Sequence, residues 1–328
     1  MTVMVTGGAG YIGAHVVRLL QEAHVPVVVV DDLSTGAAER VSGAPLVALD
    51  VAASDAVDAI SAAMTEHSVD AVIHFAAKKQ VGESVGSPVW YFQQNVGGLA
   101  NVLAAAEQCG VERFVFSSSA AVYGMTGDDL VTEDAPVSPI NPYGQTKLAG
   151  EWLLRDAARA FGMRTVSLRY FNVAGAGWRD LGDPQVLNLI TIVLDRIAAG
   201  DAPTVFGTGF DTEDGSGVRD YVHVLDIAAA HIDALDYLGR DERAHDVFNV
   251  GRGEGSSVLE VIAAIAAATG TTFTPVIAEA RPGDPARVIA DATRLRAETG
   301  WAPKHGFDEI IASAVAAASA NPQDAQPA

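Results

Sequence analysis

The sequence predicts an α/β protein: a doubly wound parallel sheet followed by a smaller α/β C-terminal unit. Three observations predict it. Short apolar runs alternate with stretches of helical spacing over the first 172 residues, a glycine cluster at Gly7, Gly10 and Gly13 breaks the first run, and a mostly β-branched run, Val25 to Val30, ends in Asp31-Asp32. A run apolar at nearly every position reads as a parallel strand buried on both faces. Strands that alternate with helices imply a parallel sheet covered on both sides.

The elements follow in order. Val3-Met4-Val5 is a strand, Gly7 to Gly13 a tight turn, and the residues through Leu19 and Leu20 a helix. Strands are predicted at Val25 to Val30, Leu46 to Leu49, Ala71 to Phe75, Phe114 to Phe116 and Arg164 to Tyr170. Between them fall helices from Ser54, around Asn95 to Cys109, and from near Tyr143, where Asn141-Pro142 sets a helix start. Past Phe171 the loops Gly175 to Pro184 and Gly207 to Gly217 flank a helix at Leu187 to Ala199. Tyr221 to Leu238 and Val247 to Val250 read as pieces that return to the first sheet, so the first unit is expected to comprise 1–172 plus about 221–250. The second comprises 173–220 plus about 251–320, with Ala-rich helices at Val258 to Ala268 and Phe307 to Ala320, and 321–328 is a polar tail.

With 49% hydrophobic and 19% charged residues, 328 residues can bury one large core or two ordinary ones, which excludes a disordered chain. The formal charge of −20 argues against nucleic acid and anionic membrane as partners. Any anionic ligand must be held by a few placed cations. One cysteine, Cys109, excludes an intrachain disulfide framework and a Cys-rich metal site; no metal is expected. Met1 to Gly13 has no Lys or Arg and no apolar run reaches bilayer length, so the expected location is cytoplasmic.

Gly7, Gly10 and Gly13 form G-x-x-G-x-x-G between a strand and a helix, with Asp31 closing the second strand 18 residues later. Alone such glycines are a flexible turn. In this context they are the Rossmann-type dinucleotide fingerprint, with the pyrophosphate on the helix N-terminus. Asp31 accepts from the adenosine ribose hydroxyls and repels a 2′-phosphate. Asp32, Leu33, Ser34, Thr35 and Gly36 supply no cation to bind one, so NAD is favoured over NADP. Asp50, ending the third strand, is placed either to accept from an adenine amino group or to cap its own loop.

Tyr143 and Lys147 form Tyr-x-x-x-Lys, which stacks both side chains on one helical face. Alone this is an ordinary helix-surface pair. Lowering a phenol of pKa near 10 by about 3 units takes roughly 4 kcal/mol. One ammonium about 4 Å away supplies that at an effective dielectric near 20, and an oxidised nicotinamide adds more. Ser117-Ser118-Ser119 follows the strand Phe114 to Phe116, at the carboxyl end where open parallel sheets bind ligands. The three features together point to hydride chemistry at a carbinol carbon.

The residues closely resemble the extended short-chain dehydrogenase/reductase family, and within it the UDP-glucose (UDP-galactose) 4-epimerases. The resemblance runs almost end to end: Thr6-Gly-Gly-Ala-Gly-Tyr-Ile-Gly13, Asp32-Leu-Ser-Thr-Gly36, His74-Phe-Ala-Ala77, Val81-Gly-Glu-Ser-Val85, Phe116-Ser-Ser-Ser119, Asn141-Pro-Tyr-Gly144, Leu168-Arg-Tyr-Phe-Asn172, Val218-Arg-Asp-Tyr221 and Arg281-Pro-Gly-Asp284. It implies interconversion of UDP-galactose and UDP-glucose by reversible C4 oxidation with bound NAD, rotation of the 4-keto intermediate and hydride return. Tyr143 would take the 4-hydroxyl proton, with Lys147 and Ser119 assisting. It further implies NAD contacts from Tyr11, Ile12, Asp32, Ser34, Thr35, Gly36, Val51, Phe75, Ala76, Ala77, Lys79, Asn95, Ser117, Tyr143, Lys147 and Tyr170. Substrate contacts are implied for Lys79, Ser119, Phe171, Asn172, Asn188, Arg219, Tyr221, Arg281, Asp284 and Val288. Two of these, Arg219 and Arg281, suit a diphosphate through paired charge-assisted hydrogen bonds. Helices near Val89 to Cys109 and Tyr143 to Ala160 resemble the pair that builds the family's homodimeric four-helix bundle.

The chain also departs from the family pattern. Ala121 replaces a usual threonine, and Lys78 stands beside Lys79 where an apolar residue is usual. Val288 falls where either a tyrosine or a smaller residue occurs, and the smaller one predicts some activity on UDP-N-acetylhexosamines. Ala120-Ala121 occupies the positions where a sugar 4,6-dehydratase has Asp-Glu, which disfavours dehydration. UDP-pentose and UDP-uronate epimerases stay open, since a few pocket contacts set specificity. A non-catalytic NAD-binding regulator is opposed by the intact Tyr143/Lys147 pair.

Overall fold

The computed structural model describes residues 1–127, 130–240, 245–281 and 283–319; the predicted tail and Ala320 lie outside the described residues. The chain runs β1 (Thr2–Thr6), α1 (Tyr11–Glu22), β2 (Val27–Asp31), β3 (Leu46–Ala48), α2 (Ala56–Glu66), β4 (Val69–His74), α3 (Val81–Gly86), α4 (Pro88–Phe92), α5 (Gly98–Gln108), β5 (Arg113–Ser117), α6 (Pro142–Phe161) and β6 (Arg164–Tyr170). It continues through β7 (Asn172–Ala174), α7 (Leu189–Ala198), β8 (Thr204–Phe206), β9 (Val218–His223), α8 (Val224–Arg240), β10 (His245–Val250), β11 (Gly255–Ser257), α9 (Val258–Thr269), β12 (Val276–Ala278), β13 (Arg287–Val288), α10 (Thr293–Thr299) and α11 (Phe307–Ala318).

Seven strands form one sheet in the order β10-β6-β5-β4-β1-β2-β3, all parallel. The valine runs explain why both faces are covered. Val3, Val5, Val27 and Val29 pack on one side with Val16 and Leu20 of α1 and Ile227 of α8. Met4, Val28 and Val30 pack on the other with Ile60 of α2, Leu99 of α5 and Leu154 of α6. Chain order reverses at β1, so the crevice beyond the carboxyl ends of β1 and β4 is where this architecture binds ligands.

A smaller sheet has the order β11-β9-β13 with β7 also on β9, and β12 pairs with β8. Here the sequence reading needs correction. Tyr221 lies on β9 and stays in the smaller sheet; only α8 and β10 return to the large one. An apolar strand shows that it is buried, not which sheet it joins. A second correction concerns the helix expected from Asn95. It begins at Pro88, because the π turn Gln93–Gly97 keeps helical dihedrals between α4 and α5. Asn95 sits inside that turn, 5% exposed. Such turns cluster at functional sites.

Candidate active site

The floor of the crevice is the turn after β1. Gly7 has φ 69°, and a Cβ there would stand 2.6 Å from the Ala76 nitrogen; a Cβ on Gly13 would stand 2.4 Å from the Gly7 carbonyl oxygen. Only glycine permits the turn to lie this close to the end of β4. No side chain caps α1 at Gly10, so its first N–H groups are free for an anion.

The turn opens on a cleft of about 880 Å³. Gly7, Gly10, Tyr11, Ile12 and Gly13 form its floor. Asp31, Asp32, Ser34, Thr35, Asp50 and Val51 wall one end, and Phe75, Ala76, Ala77 and Lys79 lie opposite. Gly36 falls outside the lining and packs on Ala9, whose carbonyl would be 2.6 Å from a Cβ. Asp31 accepts from Ala9 N at 2.9 Å and Leu33 N at 2.8 Å. Burial pushes its carboxyl above the usual range. Each of its oxygens keeps a lone pair for a ribose hydroxyl. Asp50 caps its loop through Ala52 N at 2.8 Å and also faces the cleft. A glycine cradle that any Cβ would fill, an uncapped helix start and a carboxylate at the ribose end fit NAD.

The other half of the cleft carries the proton-transfer groups. Asn141 caps α6 by accepting from Gly144 N at 2.9 Å, with Pro142 in the first turn. This start aims Tyr143 and Lys147 at the end of β5. Lys147, 3% exposed, donates to the Ser117 carbonyl at 2.7 Å. The Ser117 hydroxyl is joined to the Tyr170 hydroxyl. Ser119 accepts from Ala121 N at 3.2 Å, and its hydroxyl faces the Tyr143 phenol closely enough to draw its pKa down. The electrostatics differ from expectation in one respect. Burial raises the Tyr143 phenol and lowers the Lys147 ammonium to about 7, with Glu151 opposing the latter. The ammonium is 5.9 Å from the Tyr143 ring centroid, and burial is the largest influence on both groups.

Several predicted contacts fall elsewhere. Asn95 uses its amide on Lys78 N at 2.8 Å, Lys78 O at 3.0 Å and Thr146 Oγ1 at 3.0 Å; it shapes the cleft and does not line it. The Phe171 side chain is buried with Val122, Tyr123 and Leu148, leaving its backbone as the available contact. Asn188 and Arg281 line the cleft. Asn188 also caps α7, and Arg281 stacks 4.1 Å over Phe206. Arg219, Tyr221, Asn172 and Val288 gather on the adjoining sheet, where Asn172 pairs with Tyr221 and Val288 with Arg219. Arg219 is bonded to Asp284, so the expected two-arginine clamp has one member in the cleft lining and one neutralised beside it.

Two features escaped the sequence reading. Lys78 brings an ammonium to Asp32 and Ser34, where the run 32–36 had none. Glu151 holds Arg169 at 2.9 and 2.6 Å and accepts from Ser118 at 2.5 Å, all buried. It lies one helical turn beyond Lys147 on the same face of α6, a spacing that could have flagged it.

No helix among the described residues is long and apolar enough to cross a membrane. Comparison with known proteins finds relatives over almost the whole chain. A UDP-glucose 4-epimerase of Azospirillum brasilense is 44% identical over 95% of this chain and 90% of its own length. A Stenotrophomonas maltophila UDP-glucose 4-epimerase, solved with NAD and formylated UDP-arabinopyranose, superposes with a TM-score of 0.91 at 39% identity over 99% of this chain and 100% of that one. The UDP-Glc/GlcNAc 4-epimerase of Campylobacter jejuni gives 0.85 at 38% identity over 97% and 99%. The model of the NAD dependent epimerase/dehydratase family matches residues 3–251, and the chain belongs to that family.

Proposed function

We propose that this protein interconverts UDP-galactose and UDP-glucose by C4 epimerisation, with no net redox change. The observation that carries it is the meeting of Tyr143 and Lys147 with the glycine turn in one cleft, with Ser119 beside the Tyr143 phenol. When bound, oxidised NAD supplies the acceptor for the C4 hydrogen and a positive ring that favours the phenolate. Tyr143 takes the proton of the 4-hydroxyl and returns it after the sugar turns. Ser119, beside the phenol, is placed to hold that oxygen, and Lys147 in its protonated form puts positive charge behind both. Phe75, Ala76, Ala77, Ser117 and Tyr170 hold NAD. Asn172, Asn188, Arg219, Tyr221, Arg281 and Asp284 hold the uridine diphosphate, and residues 1–172 with about 224–250 act as the NAD unit.

Purified protein given UDP-galactose alone should form UDP-glucose; absence of product would overturn the reading. A second activity is proposed on UDP-N-acetylgalactosamine, because Val288, partly buried and paired with Arg219, is smaller than a tyrosine at that place would be. Normal turnover of UDP-galactose with none of the acetylated sugar would refute it.

The assembly we propose is a homodimer through a four-helix bundle. Val85, Val89 and Phe92 of α3 and α4 and Trp152 of α6 are exposed on helices that pack together. Exposed apolar side chains on helix pairs mark such an interface. Sedimentation at a monomer's mass would refute it. A cytoplasmic setting is proposed on the single cysteine.

A further inference from the structure

β2 and β4 flank β1 in the sheet, and the glycine turn follows β1. Asp32 and Ser34 follow β2, whereas Lys78 follows β4. A bond between those two loops therefore crosses the crevice over the glycine turn. Such a bond is present. Lys78 Nζ lies 3.1 Å from Asp32 Oδ2 and 3.0 Å from Ser34 Oγ, with the Trp90 ring centroid 5.9 Å away. The backbone of Lys78 is pinned at the other end, donating to Asn95 at 2.8 Å and accepting from it at 3.0 Å. Asp32, Ser34 and Lys78 all line the cleft.

We propose that Lys78 is a cofactor-retaining residue, whose ammonium straps the β2 loop to the β4 loop across the adenosine half of the cleft. NAD then leaves only when the strap opens. Lys79 cannot substitute, because its ammonium is half-exposed and 3.9 Å from Asp183. Burial opposes the charge on Asp32, yet bonds from Ser34 and Lys78 hold its carboxyl below the usual range, so the strap is an ion pair at neutral pH. A reaction without net redox change favours a cofactor that stays through the cycle. The inference rests on NAD as the cofactor and not on which sugar is turned over.

The test is the release rate of NAD without any sugar. NAD-loaded protein, freed of excess nucleotide, is mixed with alcohol dehydrogenase and ethanol in excess, and NADH formation follows release. The fold of each variant is checked by circular dichroism. Lys78→Met and Asp32→Asn should each speed release about three- to fivefold, the range of a partly exposed ion pair. The double variant should be no faster than the faster single one, since both open the same strap. Salt should speed release from the wild type and leave Lys78→Met unchanged. Wild-type release from Lys78→Met would overturn the proposal, and so would additive effects, which would mean that each residue holds NAD independently.

Discussion

Lys147 donates to the Ser117 carbonyl at 2.7 Å from a position 3% exposed, and burial lowers its pKa from 10.5 to about 7. The unfolded chain therefore binds the extra proton between those values, so stability rises with pH from about 7 to 10.5 and the penalty is complete below 7. The shift amounts to roughly 4 to 5 kcal/mol, against about 1–3 kcal/mol for leaving the carbonyl unpaired. Lys147→Met is expected to gain about 2 kcal/mol in urea at pH 7, to lose that gain near pH 10, and to cut turnover by at least about 10². A variant less stable than wild type at pH 7 would contradict this.

Ser119 sits beside the Tyr143 phenol and offsets part of the rise that burial gives it, so the two hydroxyls should act as a unit. Tyr143→Phe keeps the ring and should lower kcat by at least about 10²; Ser119→Ala should lower it about 10- to 10²-fold. The double variant should be scarcely worse than Tyr143→Phe. Multiplying losses in single-turnover assays would show that the hydroxyls act separately.

What was legible in the sequence was local along the chain. The valine runs of β1 and β2, the glycine turn, Asp31 at a strand end and the Tyr143/Lys147 spacing all lie within one or two elements, where periodicity and turn chemistry act. What was missed joins distant segments. Lys78 meets Asp32 across 46 residues and Arg169 meets Glu151 across 18. A charged side chain read alone is a solvated one until the fold supplies its partner. The burial of the Phe171 and Asn95 side chains was illegible for the same reason, since it depends on neighbours from other elements.

His15 links the two units. Its Nδ1 donates to the Tyr11 carbonyl at 2.8 Å, and its Nε2 accepts from Gly177 N at 3.0 Å. Burial lowers its pKa from 6.5 to about 4. Unfolded chains then bind one more proton between pH 4 and 6.5, so stability falls as pH drops through that window. His15→Gln retains a donor and an acceptor but cannot titrate. Its unfolding free energy should fall less steeply there, by about 1.4 kcal/mol per pH unit. Parallel slopes for the two proteins would remove His15 as a source of acid lability.

Glu151 and Arg169 form a buried pair, 4% and 7% exposed. The carboxylate also takes the Ser118 hydroxyl at 2.5 Å, and Arg169 reaches the Tyr123 hydroxyl at 3.0 Å. Removing one partner strands a charge in the interior and typically costs about 3–5 kcal/mol, whereas replacing both by apolar groups is often neutral. Glu151→Leu and Arg169→Met should therefore each lower the urea midpoint sharply, and the double variant should recover most of the loss. Turnover should not recover with it. Ser118 lies between the serine whose carbonyl holds Lys147 and the serine beside Tyr143, and among the described residues Glu151 is the partner that holds its hydroxyl. Recovery of both stability and kcat in the double variant would show that the pair is purely structural.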